Sequence, residues 1–592
     1  MQFDPEALRA KYRAERDKRL RADGNAQYRE MGGRFASFAA DRFAVPFERP
    51  AHHDHCDVII IGGGFSGLLA GAHLRQVGVE RIRIVDNGGD FGGTWYWNRY
   101  PGAQCDIESY IYLPMLEELS YMPTEKYSHG PEIFEHAQRL GRYFDLYGDA
   151  CFQTQMTALS WDEAAMRWIV STNRGDAMTA DFVIMAIGPL SKPKLPGIDG
   201  IESFAGHMFH TSRWDYGYTG GDTTGGLTRL ADKRVGIIGT GATAVQAIPH
   251  LGRWANELYV FQRTPSSIDV RANRPTDPQW AATLEPGWQQ RRINNFGVLV
   301  TGGRQDVDLV NDGWTEILGK FSGLADRSGM AMTPEEIAAT VELLDFEKME
   351  QIRDRVDAIV RDPATAEALK PWYRQFCKRP CFHDEYLQTF NRPNVHLIDT
   401  GGHGVQQITD SGVVVGDNEY ALDCLIFATG FEVGTEYTRR AGCEIYGRDS
   451  LTLSEKWGRQ VATFHGLMSR GFPNLLFMGG IQSGVSPNFT ELYMAQGEHV
   501  AYVIGRARHE RARTIEPTEE AERGWLATLA DSMRGRTSFQ HECTPGYYNN
   551  EGRPGEGPGW FGGNYGGGAQ AFFTLLREWR EQGDYVGLEV AR

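Results

Sequence analysis

CDVIIIGGGFSGLLAGAHLRQVGVERIRIVD, residues 56–86, is the stretch that decides the fold class. VIII is a short, unbroken apolar run, the pattern of a strand buried on both faces. Gly62, Gly64 and Gly67 follow it in G-x-G-x-x-G spacing. The first glycine permits a tight turn, the second lets a pyrophosphate approach the backbone, and the third lets helix and strand pack closely. The helix that opens here presents unpaired N–H groups toward phosphate. The next strand ends at Asp86, nineteen residues after Gly67, where an acid can accept from a ribose 2′-hydroxyl. The stretch therefore reads as strand, turn, helix and strand around a dinucleotide, with Phe65 and Ser66 beside the phosphates.

RVGIIGTGATAVQAIPHL, 234–251, repeats the pattern as Gly239-x-Gly241-x-x-Ala244. Its second strand, ELYVFQRTP, ends at Arg263 rather than at an acid. An acid would repel a 2′-phosphate and an arginine would pair with it. The first turn thus suits FAD and the second NADPH, with Thr240, Ala242, Thr243, Gln262 and Thr264 expected around the latter. DCLIFATGF (423–431) adds an Ala-Thr-Gly turn after an apolar strand, and AIG (186–188) is a weaker copy. The fold class expected is α/β, with two Rossmann-like dinucleotide-binding domains (FAD and NADPH) and a helical insertion. The expected division is an N-terminal helical arm over 1–56, an FAD-binding domain over 57–190 and 393–592, an NADPH-binding domain over 191–274 and 373–392, and the insertion over 275–372.

The chain has 592 residues, too many for one core, since single cores stop growing near ~250–300 residues. A net charge of −16 argues against a nucleic-acid partner. No apolar run is long enough to predict a transmembrane helix, and the charged N-terminus is unlike a secretory signal, so a cytoplasmic protein is expected. Residues 5–23 read as one charged helix, and 541–568 as a long irregular segment. The eight cysteines are scattered and are expected as free thiols; Cys377 and Cys381 in FCKRPC lack the C-x-x-C spacing of a redox pair. HHDHC (52–56) lacks a second ligand pair at structural-zinc spacing, so no metal is assigned.

Three further segments carry chemistry. In GGTWYWNRYPGAQCD (92–106), Trp95, Trp97, Tyr100 and Pro101 offer flat apolar surface able to wall a flavin, with Thr94, Gln104 and Tyr112 grouped alongside. Asp106 is an acid in that aromatic neighbourhood. FCKRPC (376–381) sets two cations, Lys378 and Arg379, side by side. FAGHMFHTSRWD (204–215) lies between the buried strand DFVIMAIG and the second glycine turn.

With these segments the chain resembles the type I Baeyer–Villiger monooxygenases, a branch of the class B flavin-dependent monooxygenases, over roughly residues 57–500. The family fingerprint F-x-G-x-x-x-H-x-x-x-W-[P/D] is met by Phe204, Gly206, His210, Trp214 and Asp215. A second, [A/G]-G-x-W-x-x-x-x-[F/Y]-P-[G/M]-x-x-x-D, is met by Gly92, Gly93, Trp95, Tyr100, Pro101, Gly102 and Asp106. The resemblance implies that NADPH reduces FAD, that reduced flavin takes up O2 as a C4a-peroxide, and that one oxygen atom enters beside a ketone carbonyl to give an ester or lactone. It implies Arg379 as the active-site arginine, Asp106 as the acid that holds it, Lys378 and Arg263 on the 2′-phosphate, and His210 as a hinge or docking residue. The family often has a tryptophan in its C-terminal loop; Gly546 aligns there, with Tyr547 and Tyr548 as candidate replacements. The long N-terminal arm resembles the subgroup acting on bulky or large-ring ketones. The rivals are a class B enzyme oxidising amines or sulfides, a pyridine-nucleotide disulfide reductase, and a flavoprotein that binds nucleotides without turnover.

Overall fold

The computed structural model describes residues 3–319, 333–533, 537–556 and 563–592. Residues 320–332 of the expected insertion and 557–562 of the irregular C-terminal segment lie outside the described residues.

Two sheets organise the chain, the first parallel around its central strand with an antiparallel extension at 156–185 and the second parallel throughout. In the first, His55–Ile61 lies between Ile82–Val85 and Ala177–Met185, with Ile60 opposite Ile84 on one side and Ile184 on the other. Val58 and Ile60 face a core that includes Leu68 and Leu69, while Ile59 and Ile61 face another that includes Trp168 and Val183. Both faces of the strand are covered, which is why its sequence is an unbroken apolar run. Leu475–Phe477 pairs with Ala177–Met185, so the sheet draws on both ends of the chain.

The second sheet runs Val395–Asp399, Glu257–Gln262, Arg234–Ile238, Cys424–Phe427, His207–His210, all parallel. This corrects the expected boundary at residue 393. Val395 pairs with Leu258 and Cys424 with Val235, so the chain stays with the second sheet through residue 427. The physical reason is the long-range pairing: Cys424–Phe427 is wholly buried between two strands of that sheet, and only its partners reveal where it belongs.

The two halves share one device. Gly62 has φ +117°, and a Cβ there would stand 2.4 Å from the Ala186 carbonyl oxygen. Gly239 has φ +112°, and its Cβ would stand 2.4 Å from the Ala428 oxygen. The AIG and ATG turns therefore press against the glycine turns of their own sheets, and both the backbone conformation and the space demand glycine.

The N-terminal helix is Pro5–Asp17, capped by the Asp4 carboxylate, and ends six residues before the expected residue 23. Its Leu8 and Tyr12 pack against Phe346 of the insertion. The arm continues to Tyr28–Arg29, which pairs with Leu195–Pro196. The longer described helices of the insertion are Trp288–Val300, Gly313–Gly319, Pro334–Ile359 and Pro363–Leu369. The third of these starts with a reciprocal cap between Thr333 and Glu336. No described helix is long and apolar enough to cross a membrane.

Candidate active site

A cavity of about 1170 Å³ opens where the two glycine turns meet the aromatic loop, FCKRPC, the N-terminal arm and the C-terminal segment. It exceeds the ~300–1,000 Å³ typical of a site for one small ligand. Gly62, Gly64, Phe65, Ser66, Asp86, Thr94, Trp95, Gln104 and Tyr112 line it from the first half. Thr240, Gly241, Ala242, Thr243, Arg263, Thr264, Lys378 and Arg379 line it from the second half and the FCKRPC loop. Three expected residues stand back from it. A Cβ on Gly67 would lie 1.8 Å from the Gly62 oxygen, so that glycine serves helix–strand packing. Gln262 does not line the cavity: its side-chain amide is buried and donates to the Ala368 carbonyl (2.7 Å), in the helical insertion. Asp106 sits behind Arg379.

The polar groups of the wall suit dinucleotides. The Asp86 carboxylate accepts from the backbone N–H of Gly63 (2.5 Å) and of Gly88 (2.6 Å), and its burial raises its pKa. Ser66 Oγ, Ser191 Oγ and Thr264 Oγ1 are buried on the cavity wall with no hydrogen-bond partner among the described residues. Buried hydroxyls are normally satisfied, so three orphans in one wall point to polar ligand atoms. Trp95 donates its indole N–H to the Tyr112 hydroxyl (2.9 Å), fixing the aromatic wall.

Asp106 is shared between two arginines. Its Oδ2 accepts from Arg379 (2.5 Å) and its Oδ1 from Arg271, which also bonds the Gln104 side chain. Asp106 is 2% exposed and Arg271 4%, whereas Arg379 is 35% exposed and faces the cavity. Burial alone would lower the Arg379 pKa; Asp106 outweighs it and holds the guanidinium firmly charged. Two cations and one anion leave a net positive charge, and the exposed share of it lies on Arg379. Arg271 was missed in the sequence, because its separation from residues 106 and 379 carries no periodic or motif signal. The Trp314 indole donates to the Asp106 carbonyl (3.1 Å), tying the insertion to this centre.

A second charged centre gathers Arg263, Lys378, Lys194 and Glu551. Burial, and then Arg263, push the Lys378 ammonium down to about 8. Lys194 and Glu551 were also missed in the sequence; they form a buried pair at 3.1 Å.

The five fingerprint residues stand away from the cavity wall. His210 ends an edge strand of the second sheet opposite Phe427, is fully buried, and does not line the cavity. Its Nδ1 meets the Ser212 hydroxyl (2.8 Å), and burial followed by Arg213 lowers its pKa to about 3, leaving a neutral ring. A Cβ on Gly206 would lie 2.6 Å from the Phe204 ring and 2.8 Å from the Asp423 oxygen. Trp214 donates to Thr219 (3.1 Å), and Asp215 caps the helix Tyr216–Thr219 while pairing with Arg42 and His207. Arg213, unremarked in the sequence, lines the cavity and stacks on Trp97 at 3.6 Å, so the linker touches the aromatic loop.

The expectation of free thiols is corrected at one pair: Cys377 is disulfide-bonded to Cys543, while the other six cysteines are free. The C-terminal segment folds back over FCKRPC, a proximity that spacing along the chain does not report. The bond anchors the segment carrying Tyr547 and Tyr548, both of which line the cavity. His55, Asp57 and Asp181 draw together, but Asp57 is already paired with Arg81 and Arg508.

A sequence model of the family described as pyridine nucleotide-disulphide oxidoreductase matches residues 59–296. The cysteine pair found here lies outside that match. The chain is 54% identical to neopentalenolactone D synthase of Streptomyces avermitilis, over 99% of each chain. It is 51% identical to a Baeyer–Villiger monooxygenase of Streptomyces coelicolor, covering 98% of this chain and 97% of that one. Among solved structures, the polycyclic ketone monooxygenase of the thermophilic fungus Thermothelomyces thermophila superposes with a TM-score of 0.92 at 39% identity, over 99% of each chain.

Proposed function

Since the chain belongs to the flavin-dependent Baeyer–Villiger monooxygenases and uses FAD and NADPH, we propose that it converts bulky or cyclic ketones to esters or lactones with Arg379 as its catalytic cation. The observation that carries this reading is the Asp106–Arg379–Arg271 centre at the wall of a cavity built by two dinucleotide turns. FAD, reduced by NADPH, supplies the activated oxygen when bound.

The chain's own residues supply the rest. Oxygen insertion beside a carbonyl places negative charge on oxygen, and a cation already fixed in place stabilises that charge without reorganising. Arg379 meets this requirement: it faces the cavity, stays charged, and is held from behind by a carboxylate that is itself held by Arg271. The carboxylate also lowers the cost of keeping two guanidiniums away from water. In this reading Asp86, Gly64 and Ser66 orient FAD, and Thr240, Thr264, Arg263 and Lys378 orient NADPH, with the two cations on its 2′-phosphate. His210 is neutral and walled off, so its part is to carry the second sheet's edge into the linker, and Arg213 on Trp97 couples that linker to the flavin wall.

The preference for bulky or cyclic ketones rests on relatives named for a lactone and for polycyclic ketones. We also draw the domains by their sheets: 57–190 and 431–592 around the first, 191–430 around the second, with 275–372 inserted. Cytoplasmic placement belongs to the same proposal: the six free cysteines favour it, and the single Cys377–Cys543 bond counts against it. Ketone-dependent NADPH oxidation, with the ester identified by mass spectrometry across linear, small-ring, large-ring and polycyclic ketones, tests the reading. Oxidation of amines or sulfides in place of ketones would overturn it.

A further inference from the structure

The second charged centre contains a carboxylate that cofactor binding does not call for. Glu551 is 4% exposed although it comes from the irregular C-terminal segment. Its φ is +55° and that of Asn550 is +52°, left-handed conformations that residues other than glycine seldom adopt. This strained turn delivers the carboxylate onto groups from three other parts of the chain. The Tyr28 hydroxyl of the arm donates to it (2.9 Å), Lys194 pairs with it (3.1 Å), and Arg263 stands 3.5 Å away. The other terminal nitrogen of Arg263 donates to Gln27 of the arm (3.0 Å). Despite burial, Lys194 and Arg263 hold the Glu551 carboxyl down to about 2, so it is ionised.

Lys194, Arg263 and Lys378 are three cations, and Glu551 brings their sum to +2. A phosphate monoester carries about −1.5 to −2 at neutral pH, close to the charge the site offers. The Arg263–Glu551 contact is long and single, the weakest of the carboxylate's three. We propose that Glu551 is a specificity-determining counter-charge of the 2′-phosphate subsite, satisfying Arg263 in the phosphate's absence and limiting how tightly the phosphate is held. Cofactor binding then draws Arg263 from Glu551 to the phosphate, and the turn 546–552 senses the change through its own side chain. A cofactor without the phosphate leaves that contact as it is. The inference rests on Arg263 and Lys378 receiving the 2′-phosphate.

Calorimetric titration of the FAD-loaded, oxidised enzyme with NADP+ and with NAD+ tests it. Glu551→Gln removes a like charge a few Å from the phosphate, so NADP+ is expected to bind about ten- to a hundredfold more tightly, with NAD+ within about twofold. Glu551→Asp, which keeps the charge, should stay near the parent enzyme. Equal weakening of NADP+ and NAD+ in Glu551→Gln would make the residue a strut and overturn the proposal. Arg263→Ala separates the two layers: equal loss for both nucleotides there would remove the 2′-phosphate reading itself. Hydrogen exchange on the unsubstituted enzyme needs no variant to fold. NADP+, but not NAD+, should alter exchange of amides 546–552, including the Glu551 N–H bonded to Gly546 (2.8 Å). An unchanged segment with both nucleotides would also overturn the proposal.

Discussion

Replacing Asp106 with asparagine keeps the shape of the central side chain and removes its charge. Asp106 meets Arg379 through one oxygen and Arg271 through the other, and is 2% exposed. The amide leaves two guanidiniums facing each other without an anion and turns an N–H2 donor toward one of them. Removing one partner of a buried ion pair costs about 3–5 kcal/mol, most of it from the charges left uncompensated. A chain with several cores does not unfold in two states, so the observable is the midpoint of denaturant-induced FAD release, which should fall. Ester formation should drop at least about tenfold, because Arg379 loses its fixed position. Adding Arg271→Gln removes the surplus cation. The double variant should then regain most of the lost stability, a coupling well above the ~0.3–0.5 kcal/mol scatter of independent sites. A double variant less stable than Asp106→Asn alone would refute the charge argument and leave Asp106 as a packing residue.

Arg263→Ala should raise KM for NADPH far more than for NADH, and an equal effect would move the 2′-phosphate elsewhere. Lys378 has been pushed down to about 8, so above that pH it is neutral and must take up a proton to pair with phosphate. KM for NADPH should therefore rise as pH climbs past about 8 while KM for NADH stays level; parallel profiles would contradict this. Cys543→Ser opens a covalent loop with a sequence separation of 166, worth about 5 kcal/mol in the chain-entropy picture. The variant and the reduced parent enzyme should melt alike and below the oxidised parent, and coincident melting of all three would count against the bond.

The parts legible in the sequence are those whose causes are local. A glycine turn must follow its strand and open its helix within a few residues, so Gly62 and Gly239 announce themselves. The adjacent cations 378 and 379 and the aromatic loop are readable for the same reason. What the sequence hid depends on distant pairing. Strands 395–399 and 424–427 look alike in either sheet, and only the partners Leu258 and Val235 decide between them. Arg271 follows the second sheet's nucleotide strand in a loop with no motif, yet it completes the Asp106 centre. Glu551 and Cys543 sit in a glycine-rich tail whose return to the cavity no periodicity predicts. Gln262 shows the converse: it precedes Arg263 in the sequence, but its side chain leaves the strand toward the insertion, which neighbouring position alone does not reveal.

The central claim is that this chain inserts oxygen beside a ketone carbonyl and that Arg379 stabilises the charge which develops. Turnover of a polycyclic ketone with NADPH under 18O2, run side by side for the parent enzyme and Arg379→Ala, tests it most directly. The account predicts one labelled oxygen in the parent's ester, and a variant that still holds FAD but forms ester about 10²–10³-fold more slowly. Undiminished labelled ester from Arg379→Ala, or an ester whose new oxygen comes from water, would contradict it.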